Sequence, residues 1–274
     1  MNEKRLAIRW TIGDVSEAGF QALALSIRSA KKLFGPATLY AVSVNSLPLS
    51  KARERLGNLA DEGPGKVEWF DATHDVPDWL QTRLDHRMAE GVAWKLAPPR
   101  LFPDRYELSL DNDLILWEIP DAIREWLDSN DPARCVMAED VQPSLGQFSS
   151  YCETRAINSG IRGIPPGFDL EGRLRCMLEE TPIVLKSELD EQGLQAAVLN
   201  RMHLQLVGLD EVSICSPFPM HQNVLGRCGV HFVGLNQKTL PWELEGRGAH
   251  ELIHERWYSF QSDLNQFVDE IKAA

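Results

Sequence analysis

The sequence predicts an α/β fold with a mixed, mostly parallel central sheet flanked by helices, and three observations carry that expectation. Residues 6–12 are an apolar run of strand-like composition. Phe20, Leu23, Ile27, Ala30 and Phe34 then recur at steps of three and four, which places them on one face of a helix. Residues 37–44 return to a run rich in β-branched and aromatic side chains, so the opening has the order and length of a βαβ crossover. Such crossovers build doubly wound sheets.

The remaining elements follow from local chemistry. Gly13-Asp14 supplies a turn after the first strand, Ser16 is suited to cap the helix, and Gly35-Pro36 stops it. Residues 47–65 are polar and end in Gly63-Pro64-Gly65, and 67–70 is a short third strand. Gly65-Lys66 is no phosphate loop, because Ala60 stands where the first glycine is needed and Val67 where Ser or Thr is required. A helix is expected over 79–96, broken by Pro98-Pro99. Residues 106–110 form a compact strand running directly into Asp111-Asn112-Asp113, and 114–117 resumes the apolar pattern. Later helices are expected near 169–180, 188–202 and 249–271. No internal repeat, low-complexity tract or linker divides the chain, so residues 1–274 read as one domain.

The totals narrow the function. The chain has 274 residues, of which 43% are hydrophobic and 25% charged, an ordinary globular composition. Its 28 basic against 40 acidic residues give a net charge of −12, which argues against nucleic acid as a partner, since a phosphate backbone needs a concentrated basic face. The apolar run near the start is too short for a signal-peptide core or a membrane span, so no transmembrane segment and a cytoplasmic location are expected. The five cysteines are scattered, with no Cys-x-x-Cys pair, as expected of buried thiols in a reducing compartment.

Asp111-Asn112-Asp113 is the most informative segment. Ligands of open α/β sheets bind at the carboxyl ends of strands, and this turn occupies such an end. Residues i and i+2 leaving a strand point to the same side, so Asp111 and Asp113 can converge on one cation. Oxygen ligands suit Mg²⁺ and Mn²⁺. Taken alone, an acidic turn is also what a surface loop contains.

Four further segments join it. Lys95-Leu96, Asn158-Ser159-Gly160, Glu191-Gln192-Gly193-Leu194, and His231-Phe232-Val233-Gly234 with Lys238 and Pro241-Trp242 follow in an order and approximate spacing that resembles a known family. That family is the retaining glycosyltransferases of the GT-A fold, which contains glycogenin and bacterial lipopolysaccharide galactosyltransferases. The anchors span residues 95–242.

The resemblance implies a Rossmann-like nucleotide-diphospho-sugar transferase, with residues 1–118 as the nucleotide-binding half and 119–274 as the sugar and acceptor half. It implies Asp111, Asp113 and His231 as ligands of Mn²⁺ or Mg²⁺. Lys238 would lie on the diphosphate and Lys95 near the phosphates or sugar. Asn158, Ser159 and Gln192 would face the donor sugar, with Gln192 or Glu191 at the reacting carbon. Thr11, Ile12 and Gly13 would contact base and ribose, and Asn112 and Gly234 would complete the donor site. The implied donor is a uridine-diphosphate sugar, the acceptor is unspecified, and retention of configuration is expected. Two departures stand out: Thr239 and Leu240 separate Lys238 from Pro241-Trp242, and Glu replaces Asp at 191.

Two other readings compete. His250-Glu251-Leu252-Ile253-His254 matches the zinc-hydrolase pattern His-Glu-x-x-His, against a plain solvent-facing helix with Trp257 and Phe260 packed inward. A catalytically silent nucleotide-sugar binding module would also satisfy the anchors.

Overall fold

The computed structural model describes residues 5–56, 65–85, 93–152, 155–218, 221, 223–238 and 242–272. Strand β1 (Leu6–Ile12) leads into helix α1 (Glu17–Phe34), β2 (Leu39–Val44), helix α2 (Leu49–Leu56) and β3 (Val67–Asp71). After the short helix α3 (Asp78–Gln81) come β4 (Tyr106–Leu110), β5 (Leu114–Leu116), helix α4 (Asp121–Asp128), β6 (Arg134–Glu139) and β7 (Ile157–Ile164). The chain continues through α5 (Leu170–Glu180), α6 (Glu188–Leu199), β8 (His203–Val207), β9 (Val212–Ile214), β10 (Gly229–His231), the small hairpin β11 (Glu243–Leu244) and β12 (Arg247–Gly248), and α7 (Ala249–Glu270).

The main sheet has the order β3-β2-β1-β4-β7-β6-β8 and is parallel except for β7, which runs against both neighbours. The order reverses between β1 and β4. Their carboxyl ends lie side by side, with Trp10 paired to Leu110, so the switch point opens directly above Gly13 and Asp111. A second sheet, β5-β10-β9, stands beside the first.

Helix α1 holds the two sheets together. Ser16 Oγ accepts the Gly19 amide at 3.0 Å, and at the other end Gly35 takes φ 71°, a conformation open to glycine. Phe20, Leu23 and Ile27 pack on the main sheet as expected, whereas Ala18, Ala22 and Leu25 form a second buried face against Ile115, Val230 and Phe232. Ser26 Oγ donates to Leu114 O at 2.6 Å, and Ser29 Oγ to Leu116 O, which satisfies β5 carbonyls inside the core.

The expected helix over 79–96 is corrected. It ends at Gln81, because Leu185 pairs with the following segment: its amide donates to Arg83 O at 2.7 Å, and its carbonyl accepts from Asp85 N at 2.9 Å. Those groups are thereby withdrawn from any i to i−4 ladder. Residues 86–92 lie outside the described residues, and Ala93–Leu96 is a single 3₁₀ turn. Asn158-Ser159-Gly160, a turn when taken alone, lies inside β7.

Helix α7 closes the small sheet. Trp257 is 1% exposed, meets Phe232 edge-to-face at 5.3 Å, and donates its indole N–H to Gln21 Oε1 at 3.3 Å. Trp257→Ala is expected to destabilise the fold by about 3–5 kcal/mol through the cavity it leaves, measured by denaturant unfolding. Phe260 packs inward beside it. No helix among the described residues is long and apolar enough to cross a membrane.

Candidate metal and donor site

Two strand pairings bring the acidic turn to a distant histidine. β4 delivers Asp111 to the carboxyl edge of the main sheet, the turn reverses, and β5 pairs antiparallel with β10 so that Leu114 stands opposite His231. The Phe232 amide donates to Asp113 O at 3.0 Å and locks this register. His231 Nε2 then lies 3.5 Å from Asp111 Oδ2 and 3.3 Å from Asp113 Oδ1. One ligand atom from each of the three side chains falls within 4.8 Å of the others, and among the described residues no other group of His, Cys, Asp or Glu does this.

The donor set fits a divalent cation. Asp113 is buried, and its Oδ1 has no hydrogen-bond partner of good geometry. A buried carboxylate oxygen left this way is costly unless a further charge completes it. Asp113 Oδ2 is held by Asn236 Nδ2 at 2.9 Å, which fixes the carboxylate's orientation. Asn112, between the two aspartates, turns the other way: its amide donates to Gly19 O at 3.3 Å, and its carbonyl accepts from Asn236 Nδ2 at 3.0 Å. Asn112 therefore anchors the turn to α1.

Gly160 is the third structural requirement. β7 leaves its register with β6 between Met137 and Ala138, which pair with Arg162 and Asn158 respectively, so the Ser159–Gly160 segment swings toward β4. Gly160 O accepts from Asp111 N at 2.9 Å. A Cβ at 160 would sit 2.5 Å from His231 Cε1, so only glycine lets the imidazole lie flat here.

Lys95 links the carboxylates to β7. Its ammonium lies 2.7 Å from Asp111 Oδ1 and 3.3 Å from Ser159 Oγ. Ser159 in turn donates its backbone N–H to Gln192 Oε1 at 2.9 Å, while Gln192 Nε2 donates to Ser144 O at 2.9 Å. Asn158 Nδ2 donates to Asp140 Oδ2 at 3.0 Å. Glu191 lies beneath this row, 2% exposed. Gly193, next on α6, has no room for a side chain, because a Cβ would collide with Leu145 O.

The end of β1 is looser. Thr11 Oγ1 accepts from Arg9 Nη2 at 3.2 Å, and Ile12 is buried with its carbonyl accepting the Asn45 amide at 3.0 Å. A Cβ at Gly13 would sit 2.6 Å from Ser46 Oγ and 2.8 Å from Asn45 Oδ1, so the position has no room for a side chain unless those groups move. Lys238 is about half exposed and paired with Asp14 across the mouth, while Gly234 takes φ 91° at the bend between His231 and Lys238. Asn236 and Asp140 are site residues that sequence reasoning missed. Asn236 lies two positions after Gly234 in a matched segment, whereas Asp140 carries no local signal.

The charges are strongly coupled. Burial alone would lower the His231 pKa, but the close carboxylates of Asp111 and Asp113 outweigh it and raise it to about 9. Burial likewise opposes ionisation of Asp111, yet the Lys95 ammonium and His231 hold its carboxyl well below the usual carboxylate range. Burial pushes Glu191 up to about 7, against the pull of Lys95. For the metal-free protein the sign is fixed. The His231 proton contributes stability that is complete below its unfolded value of about 6.5 and is lost as pH rises through about 9. A cation must displace that proton, so Mn²⁺ affinity measured by calorimetry is expected to climb from pH 6 to about 9, with proton release on binding.

Neither a protein-family model nor a curated protein matches the sequence. Solved structures do. The galactosyltransferase LgtC, in complex with donor and acceptor sugar analogs, aligns with a TM-score of 0.58 at 13% identity over 92% of this chain and 95% of its own. The fold is that of the GT-A glycosyltransferases. The bifunctional glycosyltransferase WbbM aligns at 0.58 and 14% identity over 97% of this chain and 52% of its own. Mouse xyloside xylosyltransferase 1 gives 0.52 and 16% over 78% and 88%. At such identities the likeness concerns the GT-A fold, and the chemistry rests on the residues assembled above.

Proposed function

We propose that this chain is a metal-dependent glycosyltransferase that moves a sugar from a nucleoside-diphosphate donor, a uridine-diphosphate sugar, to an acceptor with retention of anomeric configuration. The observation that carries the reading is the convergence of Asp111, Asp113 and His231 at the β1/β4 switch point of a GT-A fold, with a buried carboxylate oxygen lacking its partner.

Asp111, Asp113 and His231 would hold Mn²⁺ or Mg²⁺, which as a Lewis acid takes up charge on the departing diphosphate. Lys95 and Lys238 would both meet the negative charge of the diphosphate. Glu191 and Gln192 lie on the sugar side, on adjacent positions of α6. Glu191 would serve as a nucleophile, or Gln192 would support charge on the sugar while the acceptor enters on the leaving-group face. Burial pushes Glu191 up to about 7, so near neutrality a fraction of it is ionised and able to attack. Retention follows from the family resemblance and is tested by NMR of the product: inversion would remove the family reading.

An exposed aromatic cluster would meet the acceptor. Trp242 is 50% exposed and meets Phe218 edge-on at 5.7 Å, and Phe218 meets His221 at 6.3 Å, beside the loops that leave β9 and β10. Trp242→Ala is expected to raise acceptor KM about tenfold, the loss of one ring face, while donor hydrolysis stays unchanged.

The deciding experiment is a thermal-shift screen of nucleotide sugars with and without Mn²⁺. A stabilisation requiring both components is expected, and no joint effect with any donor rejects the proposal. Binding of uridine diphosphate without transfer would mark the silent module instead. The zinc-hydrolase reading is disfavoured by geometry: His250 and His254 lie side by side on α7 with ring centroids 4.2 Å apart and planes tilted by 37°, but no third ligand joins them among the described residues. Stoichiometric zinc retained through purification would restore it.

A further inference from the structure

Beneath the donor cradle lies a chain of buried polar side chains that metal binding does not require. Gln195 is one helical turn after Glu191 on α6, and its amide donates to Glu191 Oε1. The Gln195 carbonyl accepts from Arg162 Nη1, and Arg162 Nη2 donates to Pro99 O at 2.9 Å. Glu191, Gln195 and Arg162 are each 2% exposed or less. Arg162 sits on β7, two residues after Gly160, so one strand supports both the imidazole and this chain.

Arg162 stands in a cationic surrounding, which makes each nearby carboxylate matter. Arg9, fully buried on β1, lies 3.5 Å from Glu107 Oε1 and donates to Pro98 O at 3.0 Å. The other oxygen of Glu107 accepts the Leu101 and Phe102 amides. Arg9 and Arg100 both repel Arg162 across this space, and Glu107 attracts all three guanidinium groups. Glu191, reached through Gln195, is a further carboxylate that attracts Arg162. Leucine-sized apolar residues would fill the volumes of 162 and 195 without burying an arginine, so packing alone gives no reason for this pair.

We propose that Arg162, acting through Gln195, is a positioning residue for Glu191: the relay fixes the carboxylate's rotamer beneath Lys95 and keeps it ionised where the donor sugar binds. The functional part rests on the transferase reading of Glu191, whereas the relay itself does not. On the Lys95 side Glu191 faces the attraction of that ammonium and the repulsion of Asp111, Glu188 repels it from its own helix, and Arg162 attracts it from β7. Removing the Arg162 contribution leaves burial less opposed, so Glu191 must hold its proton to higher pH.

Two readouts test this. Carboxylate NMR of the metal-free protein, with the Glu191 signal assigned by its loss in Glu191→Gln, should show titration displaced upward in Gln195→Leu and in Arg162→Met, and partly restored in Arg162→Lys. In the active enzyme, Gln195→Leu should leave donor KM nearly unchanged, lower kcat by about ten- to a hundredfold, the usual effect of removing a supporting partner, and move the acid limb of kcat to higher pH. An unchanged Glu191 titration in Gln195→Leu overturns the relay, and so does a kcat loss that merely follows the folded fraction with the pH profile unmoved. Arg162→Met is the variant more prone to misfold, and Gln195→Leu decides in that event. If the parent protein transfers no sugar, or Glu191→Gln turns over normally, the transferase role of Glu191 falls while the titration still decides the relay.

Discussion

Asp113→Asn is expected to remove metal-dependent donor binding and to lower turnover by a factor on the order of a thousand, about 4 kcal/mol of transition-state stabilisation. The substitution keeps shape and deletes one negative charge from a site built around it. In the parent protein Asp113 Oδ2 accepts from Asn236, which leaves Oδ1, 3.3 Å from His231 Nε2, to complete a coordination sphere. An amide that keeps its oxygen toward Asn236 presents an NH₂ at that position, which cannot ligate. His231 loses one of the carboxylates that raise its pKa, so its protonation in the metal-free protein shifts to lower pH. Folding should be little affected, and circular dichroism would show that. Full activity of Asp113→Asn, with Mn²⁺ dependence intact, would sink the metal assignment.

Gly160→Ala tests the same site from the opposite wall. The new methyl would meet His231 Cε1 at 2.5 Å and Nδ1 at 2.7 Å, inside any tolerable contact. The imidazole must then rotate or β7 must retreat, and β7 is tied to Asp111 by the Gly160 carbonyl. Either movement opens the triad. Mn²⁺ affinity is expected to fall about ten- to a hundredfold, with overpacking costing about 1–3 kcal/mol of stability. Calorimetric Mn²⁺ titration beside urea unfolding separates the two effects. Retention of parental metal affinity would show that His231 is not a ligand.

Local patterns carried the first half of the fold and several site positions. The 3.6-residue recurrence of Phe20, Leu23 and Ile27, Ser16 as cap and Gly35 as stop are consequences of short-range sterics and hydrogen bonding, and the structure repeats them. The expected helix over 79–96 failed because Leu185, a hundred residues away, captures the backbone of 83 and 85. β7 gave no strand signal, since all of it is buried and Ile157, Ile161 and Ile164 are interrupted by Asn158, Ser159, Arg162 and two glycines, with no alternation of apolar and polar residues. Polar residues in a sheet interior are legible only when their partners are known.

The sequence by itself determined the α/β class, the placement of Asp111 and Asp113 at a strand end, and the order of the anchors that resemble a transferase family. The apolar run of β4 fixes that strand end, whereas the convergence of the two carboxylates comes from the turn closed by the Leu114 amide on Asp111 O rather than from strand alternation. Tertiary structure alone decided that His231 meets those carboxylates, that Asn112 points away to α1, and that Arg162 and Gln195 stand under Glu191. Those outcomes depend on strand register, the departure of β7 from β6 and the placement of α6 on β7. They are set by burial and hydrogen-bond pairing between segments far apart in the chain, and no local pattern encodes them.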